Sequence, residues 1–403
     1  MKIVYFYRGV PVSTPLMHIR FIIDALRQQG HEVAECFPAV GMQGGVGTVE
    51  TSGVARAKAW FRAHMPRAAV NLAQIYEARR ARARTVEFCL RERPDFVYER
   101  YSIFTDAGLL AAEAVGCPLI QEVNAVYSAQ HSEVFAPGFK ALAERSDRHI
   151  LPQADALIAV SAEVARALQE CGVPQAKVTV MHNAVDPAEY QDLDRKREET
   201  RRALGLGDAF VVVVLQALDA GPFPGELLRA LKEAWPRVSG TVPTARLTWI
   251  GGGSRFDWFK ARVAAEVPGA DRILLLGRKD HAEVPSLLAG GDVGVVLWHR
   301  AFCSPMKIFE YMAAGLPIIA PDLEGISEVV HPGENGLLFT SGEYARAAEL
   351  IVGLAAAPAE AAELARRGRE YVLSRHTWGS NAAALVHIAK GLLRSSAPGG
   401  GKR

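Results

Sequence analysis

Short apolar runs alternate with longer amphipathic stretches along the whole chain, and the pattern is laid down twice. The first half reads "KIVYFY", "HEVAECF", "FVYERY", "PLIQEV", "ALIAVS" and "VTVMHN"; the second reads "AFVVVVLQAL", "ARLTWIGGG", "RILLLGR", "VGVVLWH", "PIIAPD" and "GLLFT". Strand-length runs separated by helix-length stretches predict βα units around a parallel sheet. "MHIRFIIDALRQQGHEV" predicts the first crossover helix: Ile19, Ile22, Ile23 and Leu26 share one face, and Gly30 ends it. The polar, strand-free stretch "NAVDPAEYQDLDRKREETRRALGLGD" separates the two series. The expected organisation is a first domain over 1–190, a second over 191–375, a helix over 376–393 returning toward the first, and a disordered tail over 394–403. Each domain is then α/β, doubly wound and Rossmann-like, with ligands at the carboxyl ends of its strands and a cleft where the two face each other.

A length of 403 residues suits two domains of ordinary size. A formal net charge of +2 gives no whole-chain argument for nucleic acid, so none is expected as a partner. Cys36, Cys89, Cys117, Cys171 and Cys303 are odd in number and scattered, with no CxxC, which fits reduced thiols rather than a disulfide framework or zinc site. "MKIVYFYRGV" is too short an apolar run for a signal peptide, and no stretch reaches the ~18 apolar residues of a membrane span. A cytoplasmic location is the expectation.

"SPMKIFEYMAAGLPIIAPD", residues 304–322, carries the chemistry. Ser304 suits an N-cap and Pro305 the first helical position. The backbone N–H groups of Met306, Lys307 and Ile308 would form an anion site reinforced by the helix dipole. Lys307 adds a point charge for a phosphate oxygen. Glu310, one turn on, can accept hydrogen bonds from two hydroxyls, as a ribose diol offers. The competing reading is an ordinary i,i+3 surface ion pair, worth a few tenths of a kcal/mol.

Residues 304–339, "SPMKIFEYMAAGLPIIAPDLEGISEVVHPGENGLLF", closely resemble the signature of glycosyltransferase group 1, or family 4, whose members are retaining enzymes of the GT-B fold. "ADALIAVSAEVARALQECGVPQAKVTVMHNAVDPAEY" is similar to the segment closing that family's first domain, and "DFVYERYSIFTDAGLLAAEAVGCPLIQEVNAV" resembles a branch common in bacterial polysaccharide synthesis. The resemblance implies a hexosyltransferase-type enzyme with a nucleotide-diphosphate sugar as substrate, no cofactor and no metal. Its acceptor would be a glycan, a lipid-linked molecule or a small molecule. Glu310 would grip the ribose, Lys307 and the neighbouring amides the diphosphate, and Arg278 and Lys279 would lie beside the base. Asn124 stands where the family has a histidine touching the donor sugar, so Lys307 and Asn124 are the implied catalytic residues. Front-face attack follows, with the leaving diphosphate taking the acceptor's proton.

The chain departs from that pattern in places. The family's second glutamate would fall at Phe302, its glycine pair at Ser13 and Thr14, and its basic pair within residues 215–224, which contain no Lys or Arg. Two other readings therefore stay open: a pseudo-glycosyltransferase that binds nucleotide without turnover, and a GT-B enzyme with altered chemistry, such as a non-standard donor, cyclitol coupling or epimerisation. Thr14, His18 and Arg8 are acceptor-side candidates; His18 is a substrate contact or a polar helix cap, and Arg8 is a further cation for the diphosphate. Gly252, in "GGGS", lies in a strand-to-helix turn where backbone can approach a ligand. Asp192 and Asp194 resemble metal-binding carboxylates of the other glycosyltransferase fold but sit in a charged linker. Residues 56–67 carry Arg56, Lys58, Arg62 and Arg67 around Trp60 and Phe61. That segment is a solvated helix face, or a peripheral contact with an anionic inner membrane or lipid-linked acceptor.

Overall fold

The computed structural model describes residues 1–8, 14–37, 65–130, 138–219, 223–298 and 304–396. Every one of the quoted apolar runs contains a strand: β1 Lys2–Phe6, β2 Glu32–Cys36, β3 Phe96–Arg100, β4 Leu119–Val123, β5 Ala156–Ala159, β6 Val178–Val180, β7 Val211–Leu215, β8 Arg246–Ile250, β9 Ile273–Leu275, β10 Val293–Val295, β11 Ile318–Asp322 and β12 Leu337–Thr340. They form two six-stranded sheets, ordered β2-β1-β3-β4-β5-β6 and β12-β11-β10-β7-β8-β9, with parallel pairing throughout. Parallel strands are covered on both faces and so carry near-continuous apolar residues. Ile3, Val4, Tyr5 and Phe6 of β1 and Val211 to Val214 of β7 are all buried.

The strand order reverses between β1 and β3 in one sheet and between β7 and β10 in the other. Neighbouring strands diverge at such switch points, and doubly wound sheets bind ligands in the crevice this leaves at the strands' carboxyl ends.

The chain divides into two units, Met1–His182 with Trp378–Arg403, and Asn183–Thr377. The division corrects the expected boundary at residue 190. The charged stretch belongs to the second unit because its residues are engaged there. Tyr190 is buried. In the Leu193–Ala203 helix, Arg197 and Arg201 pair with Asp292 at 2.5 and 3.3 Å. Asp292 also accepts the Val211 N–H at 2.7 Å, so the linker charges fix the start of β7. The last helix is Trp378–Ser396, longer at its end than the expected 376–393. It belongs to the first unit, where Trp378 meets His18 edge-on at 4.6 Å and stacks on Phe21 at 5.9 Å within the Thr14–Gln28 helix. Ile19, Ile22, Ile23 and Leu26 of that helix are buried, as its periodicity requires.

Residues 56–64 of the basic segment lie outside the described residues, as do Ser13, Phe302, Cys303 and the side chain of Thr14. Arg67 opens a long exposed-and-buried helix, Arg67–Glu92, whose Arg82 pairs with Asp106 at 2.5 Å. Among the described residues, no helix is long and apolar enough to cross a membrane.

Candidate active site

In the second unit the Met306–Ala313 helix packs at the carboxyl ends of β7 and β10, the two strands between which the order reverses. Two features seat it there. Gly294 on β10 has no side chain, and a Cβ at that position would meet Tyr311 Cγ at 2.6 Å. The Tyr311 hydroxyl then accepts the Leu215 N–H at 2.5 Å and donates to the Val295 carbonyl at 3.3 Å. The β7–β10 ladder stops at the Gly294–Val213 pair, so one phenol bridges the two strands just where they part.

The helix start differs from the expected one. Pro305 is the N-cap, with ψ of 116°, and Ser304 makes no cap. Instead the Ser304 hydroxyl accepts the Asn183 N–H at 3.1 Å, and its carbonyl accepts Asn183 Nδ2 at 2.5 Å. The serine therefore ties the helix entrance to the start of the unit. Ile308 N–H bonds the Pro305 carbonyl at 3.2 Å in a tight first turn, which narrows the expected anion site toward Met306 and Lys307.

Lys307 is half-buried, and its ammonium contacts Gln216 Oε1. Gln216 is held in turn by its carbonyl, which accepts the Trp249 indole N–H at 3.0 Å. The loop after β7 lacks the expected cations, and it holds the helix lysine instead.

Glu310 is only 6% exposed. That excludes the surface ion pair as its explanation, since such pairs are solvated. Among the described residues no donor hydrogen-bonds its carboxylate, and its ion-pair contact is His281 Nδ1 at 3.8 Å. Burial raises the Glu310 pKa above the ordinary carboxylate value; His281 and Lys307 pull it back, while Glu189 adds to the rise. A buried carboxylate without donors is unusual and calls for a ligand that supplies them. His281 also contacts Glu189 Oε2 through Nε2 at 3.4 Å. Gln216, His281 and Glu189 escaped the sequence reading because they lie far from the helix in the chain.

Gly251, Gly252 and Gly253 do allow a close approach, but to the protein's own backbone. A Cβ at Gly251 would meet Gln216 O at 2.2 Å, at Gly252 Arg278 N at 2.7 Å, and at Gly253 Leu218 O at 2.4 Å. The turn thus latches the loop after β7 and the base of Arg278. The Arg278 side chain is exposed, and Lys279 pairs with Glu283 at 3.6 Å. Asp192 and Asp194 stand at the start of the Leu193–Ala203 helix, with Asp192 beside Arg195 at 3.7 Å.

In the first unit a second polar cluster forms where β3 and β4 end. Glu122, 2% exposed, accepts hydrogen bonds from Tyr98 Oη at 2.6 Å and Asn124 Nδ2 at 2.6 Å, contacts Arg100, and meets His18 Nε2 at 2.9 Å. Burial works against its charge, but His18 and Arg100 outweigh burial and hold the carboxyl well below the usual range. His18 is therefore buried inside this network and caps no helix, correcting one of its two readings. It and Asn124 are brought together by a residue the sequence reading did not single out. An ionised carboxylate only accepts, so Asn124 must turn its amide nitrogen toward Glu122 and its carbonyl oxygen away. Arg8 hydrogen-bonds the Ile103 and Gln74 carbonyls, both at 3.3 Å, and pairs with Glu77 at 3.6 Å.

On the opposite face of the same strand pair, Gln121 Nε2 donates to Glu99 Oε2 at 2.7 Å. Burial pushes the Glu99 carboxyl up to about 8. A Cβ on Gly108 would meet Glu99 Oε2 at 2.5 Å, so glycine there leaves room for the acid.

Two doubly wound parallel sheets in separate units, each with polar residues gathered at its strand ends, define the GT-B class of transferase architecture. The family model described as glycosyl transferases group 1 matches residues 211–357, and that described as Glycosyltransferase Family 4 matches residues 17–189. This chain belongs to glycosyltransferase group 1/family 4 and is a glycosyltransferase. A glycogen synthase of Mycobacterium tuberculosis is 24% identical, aligned over 73% of this chain and 68% of its own length. A D-inositol 3-phosphate glycosyltransferase of Nocardia farcinica is 29% identical over 75% of this chain and 66% of its own. Among solved structures, Anabaena Alr3699/HepE in complex with UDP-glucose superposes with a TM-score of 0.69 at 19% identity, covering 96% of this chain and 99% of that one. Sucrose-phosphate synthase of Thermosynechococcus elongatus gives 0.73 at 17% identity, covering 98% and 100%.

Proposed function

We propose that the second unit binds a nucleotide-diphosphate sugar and that the protein transfers its sugar, with retention, to a glycan, lipid-linked or small-molecule acceptor. The observation that carries this reading is Glu310: a buried carboxylate to which no donor among the described residues hydrogen-bonds, one helical turn beyond Lys307. A ribose diol supplies two donors, and a diphosphate one turn earlier meets the helix amino end and the lysine. The relative of known structure from Anabaena holds UDP-glucose, which is a donor of this kind.

The acceptor hydroxyl attacks the anomeric carbon from the face that the diphosphate leaves. The bond from that carbon to the diphosphate oxygen breaks, and the acceptor's proton passes to the departing diphosphate. The protein supplies position and charge. A hydrogen bond to a charged group contributes ~1.5–3 kcal/mol. Glu310→Gln should accordingly weaken nucleoside diphosphate binding about tenfold or more by calorimetry. An unchanged affinity would remove the ribose assignment.

With Lys307 and the helix end carrying the leaving charge, transfer should survive excess EDTA. Loss of activity with chelator, restored by magnesium or manganese, would contradict that account of the charge. A donor-binding protein without turnover is the second reading, and one observation favours it: residues 215–224 hold no Lys or Arg, so Gln216 rather than a cation stands beside Lys307.

A further inference from the structure

We propose that His281 is a positioning residue for the nucleotide: standing between Glu189 and Glu310, it keeps the Glu310 carboxylate charged and in place for the ribose diol. The inference rests on the reading of Glu310 as the ribose ligand, and assigns the residue that makes that carboxylate competent.

Three segments distant in the chain converge here. Glu189 comes from the Pro187–Tyr190 turn, His281 from the His281–Glu283 turn after β9, and Glu310 from the Met306–Ala313 helix. The imidazole has one nitrogen 3.4 Å from Glu189 Oε2 and the other 3.8 Å from Glu310 Oε1. Its own turn is fixed by a capping box, in which Glu283 Oε2 accepts the Asp280 N–H at 3.0 Å. An isolated carboxylate as buried as Glu310 takes up a proton rather than stay charged, and a protonated acid is a poorer acceptor for two hydroxyls.

The surrounding charges set the sign. Lys307, on the helix of Glu310, favours the charged carboxylate, and Glu189 opposes it. Tyr190 beside them is kept neutral by burial. On the turn of His281, Asp280 and Glu283 are acidic, and Lys279 pairs with Glu283. Burial opposes a charge on His281, but Glu189 and Glu310 outweigh it and raise the imidazole pKa. His281 is thus a cation over the acidic side of neutrality, and its charge makes the buried Glu310 carboxylate harder to protonate there. That help fades at higher pH as the imidazole loses its proton.

The test is calorimetric titration of the full chain with whichever of UDP, GDP and ADP binds most tightly. Wild type, His281→Gln, Glu310→Gln and the double variant are compared across the histidine range. The terminal phosphate of the nucleotide titrates identically in all four, so ratios to wild type are read. His281→Gln should weaken binding several-fold near pH ~6 and less than about twofold near pH ~8.5, because the buried carboxylate protonates more readily once the neighbouring cation is removed. In the Glu310→Gln background the same change should have no further effect. His281→Lys, which restores a cation, should recover binding at the lower pH, with melting temperatures confirming that each variant is folded. Weakening that is equal at both pH values, or that persists in the Glu310→Gln background, would overturn the inference while leaving the ribose assignment intact. Glu310→Gln without effect, or no binding of any of the three nucleotides, would overturn both.

Discussion

Lys307→Ala should cut sugar transfer by about two to three orders of magnitude while weakening donor binding much less. That is the usual cost of removing one preorganised group facing charge that develops in the transition state. As the bond to the anomeric carbon breaks, the diphosphate gains charge that the ground state lacks. An interaction strongest at that moment appears in turnover rather than affinity. On the proposed reading one lysine carries most of that weight, because the loop after β7 has no Lys or Arg in residues 215–224 and supplies an amide, Gln216, beside Lys307. Gln216 fixes the ammonium rather than sharing its task. Gln216→Arg would add the missing charge beside the lysine, and the matched pair of binding and turnover measurements on Lys307→Ala tests whether the lysine acts there. Turnover indifferent to Lys307 would mean that the phosphate charge is handled elsewhere.

A comparable loss, in stability, is expected at Glu122. Removing one partner of a buried charged network leaves the others uncompensated, at a cost of about 3–5 kcal/mol. Glu122→Ala should therefore destabilise the first unit by that amount in denaturant unfolding, since Arg100, Tyr98, His18 and Asn124 all lose an acceptor together. Affinity for nucleoside diphosphate, which the proposed site places in the second unit, should stay unchanged in the folded protein. The folded carboxyl is held below its unfolded value, so its contribution is complete above an unfolded pKa of ~4.3 and declines as pH falls below it. Acid unfolding of wild type should begin in that range, and the variant should lack this component. A loss of less than about 1 kcal/mol would show the network to be peripheral to stability.

The strands were legible because most are short, largely apolar runs, and a parallel strand covered on both faces has few other ways to read. The same property hid the first unit's polar cluster. "FVYERY" and "PLIQEV" register as strands, yet Glu99, Arg100, Gln121 and Glu122 are polar groups in the middle of a buried sheet. The signal was present: such residues require partners there. Period-two alternation pairs Arg100 with Glu122 on one face and Glu99 with Gln121 on the other. The identity of those pairs depends on register between strands, which a single sequence does not specify.

The pairing of Lys307 and Glu310 on one helix was legible for a different reason: they lie within one turn, so local spacing alone brings them together. Ser304 was misjudged because capping is a local rule, and the long-range bond to Asn183 prevailed over it. The boundary at residue 190 failed similarly. A run of charges reads as a solvated linker until Asp292 is seen to take Arg197 and Arg201. His281 and Glu189 carry no motif at all; only the folding of the second unit sets them beside Glu310.

The most direct test of the account is a paired measurement on the wild-type protein over a panel of nucleotide-diphosphate sugars and a broad set of acceptors. Donor affinity is read by calorimetry, and transfer by the appearance of glycosylated product together with nucleoside diphosphate. The account predicts that at least one nucleotide sugar binds and is turned over, with the transferred sugar keeping its anomeric configuration. Tight binding of a donor with no transfer to any acceptor would contradict it, and would identify the chain as a nucleotide-sugar-binding relative that has lost its reaction.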